Sequence, residues 1–400
     1  MVGVPVMRKP GMIECLVRSS SNVLMFFVLL LYCASAAVAS SGEGAGRPAL
    51  VLGQSCALSG PAGNLGLEMR AGLLAAFSKV NDEGGVNGRD IRLISRDDGY
   101  EPDRAIHNTR LLVQEDNVFL LVGEVGTPTS EAVVPLIETW KVPFFAPFSG
   151  AEFLRVPFHK YVINVRASYF QEMEKLASYL IDDKKVQKIA CFYQNDSYGF
   201  SGLEGIERAL KKRGMKLVSK GSYERNTVAV MGGLRDINRA APEAVVLVGA
   251  YSACAEFIKL SKSKIKKRQI YCNISFVGTE SLRKALGGYG RDVVVSQVVP
   301  YPHDSGIPLV SEYMEAMGKY QHDYPISFIS LEGYIAGKLF SQIAKTIPGE
   351  LTRENFISTM ETTGTFDLGG LVLHFSPTDH QGMETIHLTE ISPALQKLKQ

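Results

Sequence analysis

Short apolar runs alternate along the chain with longer segments in which apolar residues recur every three or four positions. The first half contains strand-like runs at 49–56, 90–98, 118–124 and 142–147, separated by helical patterns at 65–85, 102–116 and 128–140. Strand-length runs that alternate with helices of this length are typical of βαβ units. The pattern therefore predicts a parallel sheet with helices on both faces.

The same pattern begins again after residue 160. The second half contains strand-like runs at 162–168, 188–194, 216–223, 244–251, 275–278 and 292–300, with helical patterns at 169–181, 201–213 and 227–240. Two more helices are predicted at 306–320 and 328–346, and a closing hairpin at 371–377 and 384–391. We therefore expect two α/β lobes, with a chain that crosses between them more than once. A cleft between lobes is a common place for a ligand.

The first forty residues differ from the rest of the chain. Basic residues precede the apolar run 23–33, and small residues follow it up to Ala39, which is the pattern of a secretory signal peptide over residues 1–39. The run is short for a membrane-spanning helix. We therefore expect the protein to be exported, with the leader cleaved. A lipid-modified Cys33 is the less favoured alternative because the bulky Tyr32 precedes it. The true start is left open between Met1, Met7 and Met12.

Charge and cysteine content exclude some classes of protein. Without the predicted leader the chain has 40 basic and 40 acidic residues, which argues against a general nucleic-acid binder. The basic run at 259–268 is typical of a solvated helix end. Four cysteines remain after the leader, and no C-x-x-C spacing indicates a zinc site. A disulfide between Cys254 and Cys272 and separate buried thiols are both left open.

Two turns of small, hydroxyl-bearing residues follow neighbouring apolar runs. In VGEVGTPTS, Thr127 can cap the next helix, with Pro128 at the first helical position. Alternatively, the turn can direct backbone N–H groups at an anion. FAPFSG repeats this arrangement one strand later with Ser149 and Gly150. Spacing alone favours a simple helix start, because every turn of this kind needs a cap.

Motifs for catalysis are weak. The glycines at 60, 63 and 66 do not have the dinucleotide-binding spacing G-x-G-x-x-G. GQSCA places Ser55 in an imitation of the hydrolase nucleophile motif, but on a strand that does not lead directly into a helix. No H-E-x-x-H occurs, and His374, His380 and His387 cluster in the predicted tail hairpin. We therefore expect neither an enzyme nor a cofactor, and retain an exported serine hydrolase as a minor alternative.

Polar turns in the second half complement those in the first half. QNDSYG places Tyr198 after one strand, VGAYSA places Tyr251 after another, and SFVGTESL adds Glu280. Hydroxyls and backbone N–H groups suit a carboxylate, whereas a carboxylate and phenol oxygens suit an ammonium group. The two sets of turns together indicate a site for a small zwitterion.

The segments GGVNGR, DDGYEP, LLVGEVGTPTS, PFFAPFSGAEFLR and DLGGLVLHFSPTDHQG resemble the leucine/isoleucine/valine-binding family of periplasmic receptors over the whole mature chain. The resemblance implies a type I periplasmic-binding fold, with two doubly wound parallel-sheet lobes joined by three crossovers. The implied lobes are residues 48–163 with 301–364, and residues 164–300 with 365–395. It also implies a monomer that captures a small amino acid and delivers it to the permease and ATPase of an ABC importer. A ligand-sensing receptor subunit is the alternative within the same fold.

The resemblance also implies roles for individual residues. The residues that bind the ligand carboxylate would be Thr127, Phe148, Ser149 and Gly150. The aromatic residues of the second lobe would be Tyr198 and Tyr251, and the acid that binds the ammonium group would be Glu280. Leu65 stands at the position that covers the ligand side chain. Gly150 and Leu65 depart from the family, which has a hydroxyl and often an aromatic residue at these places. The first-lobe disulfide of some members also has no counterpart. These departures leave the ligand's identity open.

Overall fold

The computed structural model describes residues 1–3, 47–265, 267–391 and 395–397. The predicted signal peptide therefore lies outside the described residues except for its first three positions, as do Met7, Met12 and Cys33. Within the described ranges, no helix is both long and apolar enough to span a membrane.

The first lobe is built on a parallel sheet of five strands. They are Leu50–Cys56 (β1), Ile91–Asp97 (β2), Leu121–Val122 (β3), Phe144–Phe145 (β4) and Val162–Ile163 (β5). Their order in the sheet is β2-β1-β3-β4-β5. The connecting helices are Gly63–Asp82 (α1), Pro102–Arg110 (α2) and Thr127–Trp140 (α3). This alternation confirms the sequence prediction, although the last three strands are shorter than their apolar runs.

The second lobe is built on a sheet of seven described strands. They are Ile189–Gln194 (β6), Ser219–Tyr223 (β7), Ala244–Val248 (β8), Ile270–Asn273 (β9), Val293–Gln297 (β10), His387–Ile391 (β13) and Leu395–Lys397 (β14). The order is β14-β13-β10-β9-β8-β6-β7. Strands β6 to β10 pair in parallel, and β13 and β14 add antiparallel strands at one edge. The remaining pair, Thr365–Asp367 (β11) and Val372–His374 (β12), forms a separate hairpin.

The other helices cover both lobes. They are Tyr169–Ser178 (α4), Ser197–Lys211 (α5), Met231–Arg239 (α6), Tyr251–Lys264 (α7), Thr279–Leu286 (α8), Pro308–Tyr320 (α9), Phe328–Thr346 (α10) and Arg353–Thr363 (α11). α10 packs extensively along α1, and the Arg353 guanidinium donates to the Phe119 carbonyl oxygen at 2.8 Å. α10 and α11 therefore return to the first lobe after β10 has completed the parallel part of the second sheet.

The chain passes between the two sheets three times, as the resemblance implies. The passages are 164–168, 298–307 and 375–386. The first and third lie side by side: the Asn164 N–H donates to the His380 carbonyl oxygen at 2.8 Å, and the Gly382 N–H donates to the Asn164 carbonyl oxygen at 2.8 Å. These two bonds pair the first crossover with the third. The paired crossovers connect the lobes and are therefore named the hinge.

The two lobes touch along the cleft that lies between them. The Asn226 amide donates to the Gly99 carbonyl oxygen at 3.0 Å, and the Arg225 guanidinium lies 2.9 Å from a Glu101 carboxylate oxygen. The Ser252 hydroxyl adds a contact of 3.5 Å to the Pro61 carbonyl oxygen. Side chains of one lobe thus bond to the other lobe, so the structure shows the closed arrangement.

Two sequence predictions are wrong. The tail hairpin of 371–377 with 384–391 does not form: β12 pairs with β11, and β13 pairs with β10. The segment 275–278 is a 3₁₀ turn, Ser275–Val277, and the strand lies earlier, at β9. The partner of β13 lies about ninety residues earlier in the chain. Periodicity cannot identify such a distant pairing, nor can it distinguish a short apolar turn from a strand.

The four cysteines outside the predicted leader are separate, buried thiols. Of the two possibilities left open by the sequence, the structure has no disulfide between Cys254 and Cys272. Burial raises the pKa of both thiols above the ordinary range. Both therefore behave as small apolar side chains in the second-lobe core.

Candidate functional site

The hydroxyls of the two first-lobe turns meet each other. The Thr127 Oγ1 and Ser149 Oγ atoms are 2.8 Å apart, and the Tyr169 hydroxyl lies 3.2 Å from Thr127 Oγ1. All three side chains are buried. Burial raises the pKa of Tyr169 although Arg166 opposes this, so its hydroxyl stays protonated. The result is a buried group of three hydroxyls at the carboxyl ends of β3 and β4.

The expected cap at Thr127 is not formed, which corrects the sequence interpretation. α3 begins at Thr127, its N-cap is Gly126 with φ of 128°, and no side chain caps it. A side chain at Gly126 would also collide with the Tyr100 ring, since an added Cβ would lie 2.5 Å from its Cε2 atom. The helix start is therefore set by glycine, and the Thr127 hydroxyl is directed to Ser149 instead.

Gly150 lies directly against the same group. A Cβ at this position would lie 2.5 Å from the Tyr169 Cδ1 atom and 2.7 Å from the Tyr169 backbone nitrogen. The Tyr169 N–H donates to the Gly150 carbonyl oxygen at 2.6 Å. The lack of a hydroxyl at Gly150, noted from the sequence, thus makes room for the Tyr169 ring, whose hydroxyl lies in the group.

Aromatic rings connect this first-lobe group to the second lobe. The Phe148 and Phe276 ring centroids are 5.2 Å apart, and those of Phe276 and Tyr198 are 4.5 Å apart. Tyr100 lies 6.0 Å from Phe276, and Tyr169 lies 5.6 Å from Tyr198. Because Phe148 follows β4 and Tyr198 follows β6, the stack joins the carboxyl ends of both sheets. This is where open parallel sheets place their ligands.

The Tyr198 hydroxyl has no hydrogen-bond partner among the described residues. The side chain is fully buried, and burial raises its pKa well above the ordinary value. A buried, protonated hydroxyl that makes no bond is costly, and most such groups in proteins are paired. Tyr198 therefore offers a donor and an acceptor at the contact between the lobes.

A buried cluster of charged side chains at the hinge contacts the aromatic rings. Arg166, on the first crossover, lies 3.8 Å from a Glu172 oxygen and 3.5 Å from a Glu332 oxygen, and its Cζ atom is 4.5 Å from the Phe148 ring centroid. Burial lowers the pKa of Arg166, but the carboxylates Glu332 and Glu172 outweigh it and raise the pKa. Arg166 also donates to the Ser275 hydroxyl, directly before Phe276. The cluster thus ties α4, α10 and the 3₁₀ turn to the crossover.

The remaining predicted residues form a second group beside the first. Leu65 packs against the backbone of the Gly278 turn, where an added Cβ would lie 2.6 Å from Leu65 Cδ2. Glu280 lies in the first turn of α8 and accepts a bond of 2.9 Å from Arg283 Nε. Burial raises the pKa of the half-buried Tyr251, and the Asn64 backbone of the other lobe opposes this. All three lie at the contact of α1 with the second lobe.

Sequence reasoning missed several residues of the first group: Tyr100, Arg166, Tyr169 and Phe276. Two of them carried a signal. Tyr100 lies in the DDGYEP segment that carries the resemblance, and Phe276 lies in the polar turn SFVGTESL, but neither ring was given a role. Arg166 and Tyr169 lie on a crossover and a helix start, and their position in the cleft follows from the tertiary fold.

The geometry does not support the serine hydrolase. The buried Ser55 hydroxyl donates to Asp98 Oδ2 at 2.8 Å and accepts from the Asn108 amide at 3.2 Å. His380 instead contacts Glu361 at 3.0 Å and the Val162 carbonyl oxygen. No bond of Ser55 to a histidine occurs among the described residues. In the same ranges no group of three His, Cys, Asp or Glu residues could hold a metal ion.

Comparison with known proteins identifies the family of this chain. The family described as periplasmic binding protein matches residues 50–396. A Leu/Ile/Val-binding protein homolog from Brucella abortus is 27% identical over 332 residues, which is 80% of this chain and 82% of the relative. A crystal structure described as a possible leucine/isoleucine/valine-binding protein from Rhodopirellula baltica is 37% identical, with a TM-score of 0.85 over 90% of this chain and 98% of the other.

A second solved structure gives the same result. A substrate-binding periplasmic protein from Ralstonia solanacearum is 27% identical, with a TM-score of 0.81, over 87% of this chain and all of the other. The expected fold class and the expected absence of enzymatic activity both agree with these relatives. The chain therefore belongs to the periplasmic binding protein family, has its type I fold, and is a solute-binding protein and not an enzyme.

Proposed function

We propose that this protein captures a small amino acid of the branched-chain type, or a related carboxylate or amide, between its lobes and delivers it to an ABC importer in the membrane. The observation that carries the proposal is the pairing of Thr127 with Ser149 against an aromatic stack that ends in the unpartnered Tyr198 hydroxyl. Two relatives described as Leu/Ile/Val-binding proteins, one of them as a possible one, support the same ligand class. Action in the periplasm as a monomer, after removal of residues 1–39, belongs to the same proposal.

The roles assigned to individual residues follow the polarity of the hydroxyl group around Thr127 and of the second group around Glu280. Thr127 and Ser149, with Phe148 and Gly150 shaping the turn, would hold the ligand carboxylate. Glu280 would hold the ammonium group, with Tyr198, Tyr251 and Leu65 lining the remaining surface. Glu280 is already paired with Arg283, whose side chain is 38% exposed. A partner this exposed is screened by water, so the ammonium group can compete for the carboxylate.

The energies are sufficient for a receptor. Micromolar affinity requires about 8 kcal/mol. Four or five charge-assisted hydrogen bonds at roughly 1.5–3 kcal/mol each exceed this before the cost of ordering is subtracted. Burial of one apolar side chain adds about 1.5–3 kcal/mol. Because both lobes contribute, the full interaction is available only in the closed state, which is how ligand binding drives hinge closure.

The carboxylate role is tested by calorimetry with leucine, isoleucine and valine. We expect the double variant Thr127→Ala/Ser149→Ala to bind at least about a hundredfold more weakly, because two bonds to a charged group are lost. Ser263→Ala is the matched control: its hydroxyl is exposed and bonds only locally, to the Leu260 carbonyl oxygen. Normal binding by the double variant would refute the carboxylate role.

The ammonium role requires a separate test. Glu280→Gln should weaken leucine binding by about tenfold or more, because a neutral amide cannot replace the charge partner. Glu354→Gln is the control, since Glu354 also lies in the first turn of a helix but is exposed. X-ray scattering should show compaction of the wild-type protein with leucine. A Glu280→Gln affinity equal to that of wild type would assign the ammonium group to another residue.

A further inference from the structure

Phe276 lies at the centre of the contact between the lobes. Its ring lies between Phe148 of the first lobe, at 5.2 Å, and Tyr198 of the second lobe, at 4.5 Å, in tilted contacts with interplanar angles of 32° and 45°. Tyr100 lies against the ring from the side at 6.0 Å. All four side chains are at most 1% exposed. The ring therefore fills the space between the carboxylate turn and the Tyr198 hydroxyl.

Both ends of the turn that carries Phe276 are fixed. On one side the Ser275 N–H donates to Glu172 Oε2 at 2.7 Å, and the Ser275 hydroxyl lies 3.0 Å from the other Glu172 oxygen. On the other side Gly278 has φ of 78°, and Leu65 packs directly against it. A backbone held at both ends leaves the ring few alternative positions. Phe276 is thus a fixed wall of the cleft.

Resting on the proposed amino-acid function, we infer that Phe276 sets the upper size of the ligand side chain. Phe276 occupies the space between Phe148 and Tyr198, so a ligand ring placed there would have to displace it or hold the lobes apart, whereas a short aliphatic group needs less of this space. Sequence reasoning gave this covering role to Leu65 alone. The wall made by Phe276 belongs to the second lobe, so it acts only when the cleft closes.

The size limit follows from close packing. Protein interiors are packed as densely as organic crystals, so an added ring cannot share the space of an existing one. Truncation of a buried side chain leaves a cavity that the surroundings fill only in part. An apolar cavity of roughly 150 Å³ stays dry and binds benzene. Removal of the Phe276 ring should therefore create room for the ring of an aromatic ligand.

The experiment measures the dissociation constants of leucine and phenylalanine by calorimetry for wild type, Phe276→Ala and Phe276→Leu. Wild type should prefer leucine. In Phe276→Ala the dissociation constant of phenylalanine divided by that of leucine should fall by about tenfold or more. A single methylene group in an apolar pocket already changes such a ratio by about tenfold or more. Phe276→Leu retains part of the volume and should give an intermediate ratio. It also provides a folded variant if the alanine protein is unstable.

Phe257→Ala is the matched control. Phe257 is a fully buried second-lobe phenylalanine that stacks on Phe192 at 4.3 Å, away from the first-lobe turns. Its truncation should lower stability but leave the ligand ratio within about twofold. Wild-type binding of leucine with an unchanged ratio in both Phe276 variants would overturn the size limit and leave the proposed function intact. If wild type and both variants bind neither leucine nor phenylalanine, the proposed function and the size limit are both overturned.

Discussion

The Tyr198 hydroxyl shows at the scale of one residue how the site differs from the core around it. Tyr223, in the same lobe, is also buried, yet its hydroxyl donates to Gln194 Oε1 at 2.9 Å and accepts from the Ala250 N–H at 3.0 Å. The Tyr198 hydroxyl makes no such bond among the described residues. Leaving a buried polar group unpaired costs about 1–3 kcal/mol. A ligand that bonds to this hydroxyl would recover that cost on binding.

Removal of this hydroxyl should therefore separate binding from stability. In Tyr198→Phe we expect the ligand-free melting temperature to stay the same or rise, because an unpaired buried group is removed. The affinity for leucine should fall by about threefold to tenfold, the value of one lost hydrogen bond. Differential scanning fluorimetry and calorimetry measure the two effects.

Tyr223→Phe gives the opposite pattern and serves as the control. It removes a hydroxyl with two bonds inside the lobe, so stability should fall by about 1–2 kcal/mol while leucine affinity changes little. A loss of stability in Tyr198→Phe equal to that of Tyr223→Phe would show that Tyr198 has a structural partner and no role at the ligand.

At the scale of elements, the Arg166 cluster joins pieces of chain that are far apart in sequence. Arg166 lies on the first crossover, Glu172 on α4 and Glu332 on α10, and each side chain is at most 5% exposed. Glu172 is further held by the Ser296 hydroxyl, which donates at 2.6 Å from β10. A buried cation between two carboxylates does little for net stability, but it fixes the relative positions of its partners. Here those partners are the hinge and the turn that carries Phe276.

Arg166→Met should be strongly destabilising. Methionine is also unbranched, but it leaves two buried carboxylates without their cation. We expect the free energy of unfolding, measured by urea denaturation, to fall by about 3–5 kcal/mol. Lys212→Met is the control: Lys212 pairs with Glu174 at 3.0 Å, but its side chain is 58% exposed, so we expect less than about 1 kcal/mol. Equal and small losses in both variants would contradict the structural role of Arg166.

At the scale of the whole molecule, closure brings a buried acid of the first lobe against the second lobe. Glu68, on α1, accepts from the Ser327 hydroxyl at 2.6 Å and, across the cleft, from the Ser281 hydroxyl at 3.3 Å. Burial raises the pKa of Glu68 to about 7, while these two hydroxyls oppose the shift. The nearby charge of Glu280 also raises this pKa, and that of Lys284 lowers it. Opening the cleft would hydrate Glu68 and return its pKa towards about 4.3.

Closure should consequently take up protons. Between the open and the closed pKa of Glu68, the closed form binds more protons, so a fall in pH favours closure and a rise through 7 opposes it. We expect leucine affinity to increase several-fold from pH 8 to pH 6, a range in which leucine itself does not titrate. Calorimetry across this range, in buffers with different ionisation enthalpies, also counts the protons taken up.

Glu68→Gln should flatten this pH dependence, since the amide keeps the shape of the protonated acid without titrating. A steep slope that is identical in wild type and Glu68→Gln would exclude Glu68 as the group responsible.

The sequence by itself determined the elements and the polarity of the turns. Periodicity gave the alternation of strands and helices, because the side-chain repeat of each element depends on its own residues alone. The same local reasoning placed Thr127 and Ser149 at strand ends, and the structure brings their hydroxyls together. It failed for the tail, where β13 pairs with β10 about ninety residues earlier along the chain.

The tertiary structure alone decided which side chains of the two lobes meet across the cleft. The contact of Phe276 with Phe148, that of Arg166 with Glu332 and that of Glu68 with Ser327 each join residues more than a hundred positions apart. Such contacts arise when three crossovers bring two separately folded sheets together, and no local pattern records them. The sequence thus specified two α/β lobes with polar strand ends, and the packing of the lobes determined which of these side chains meet between them.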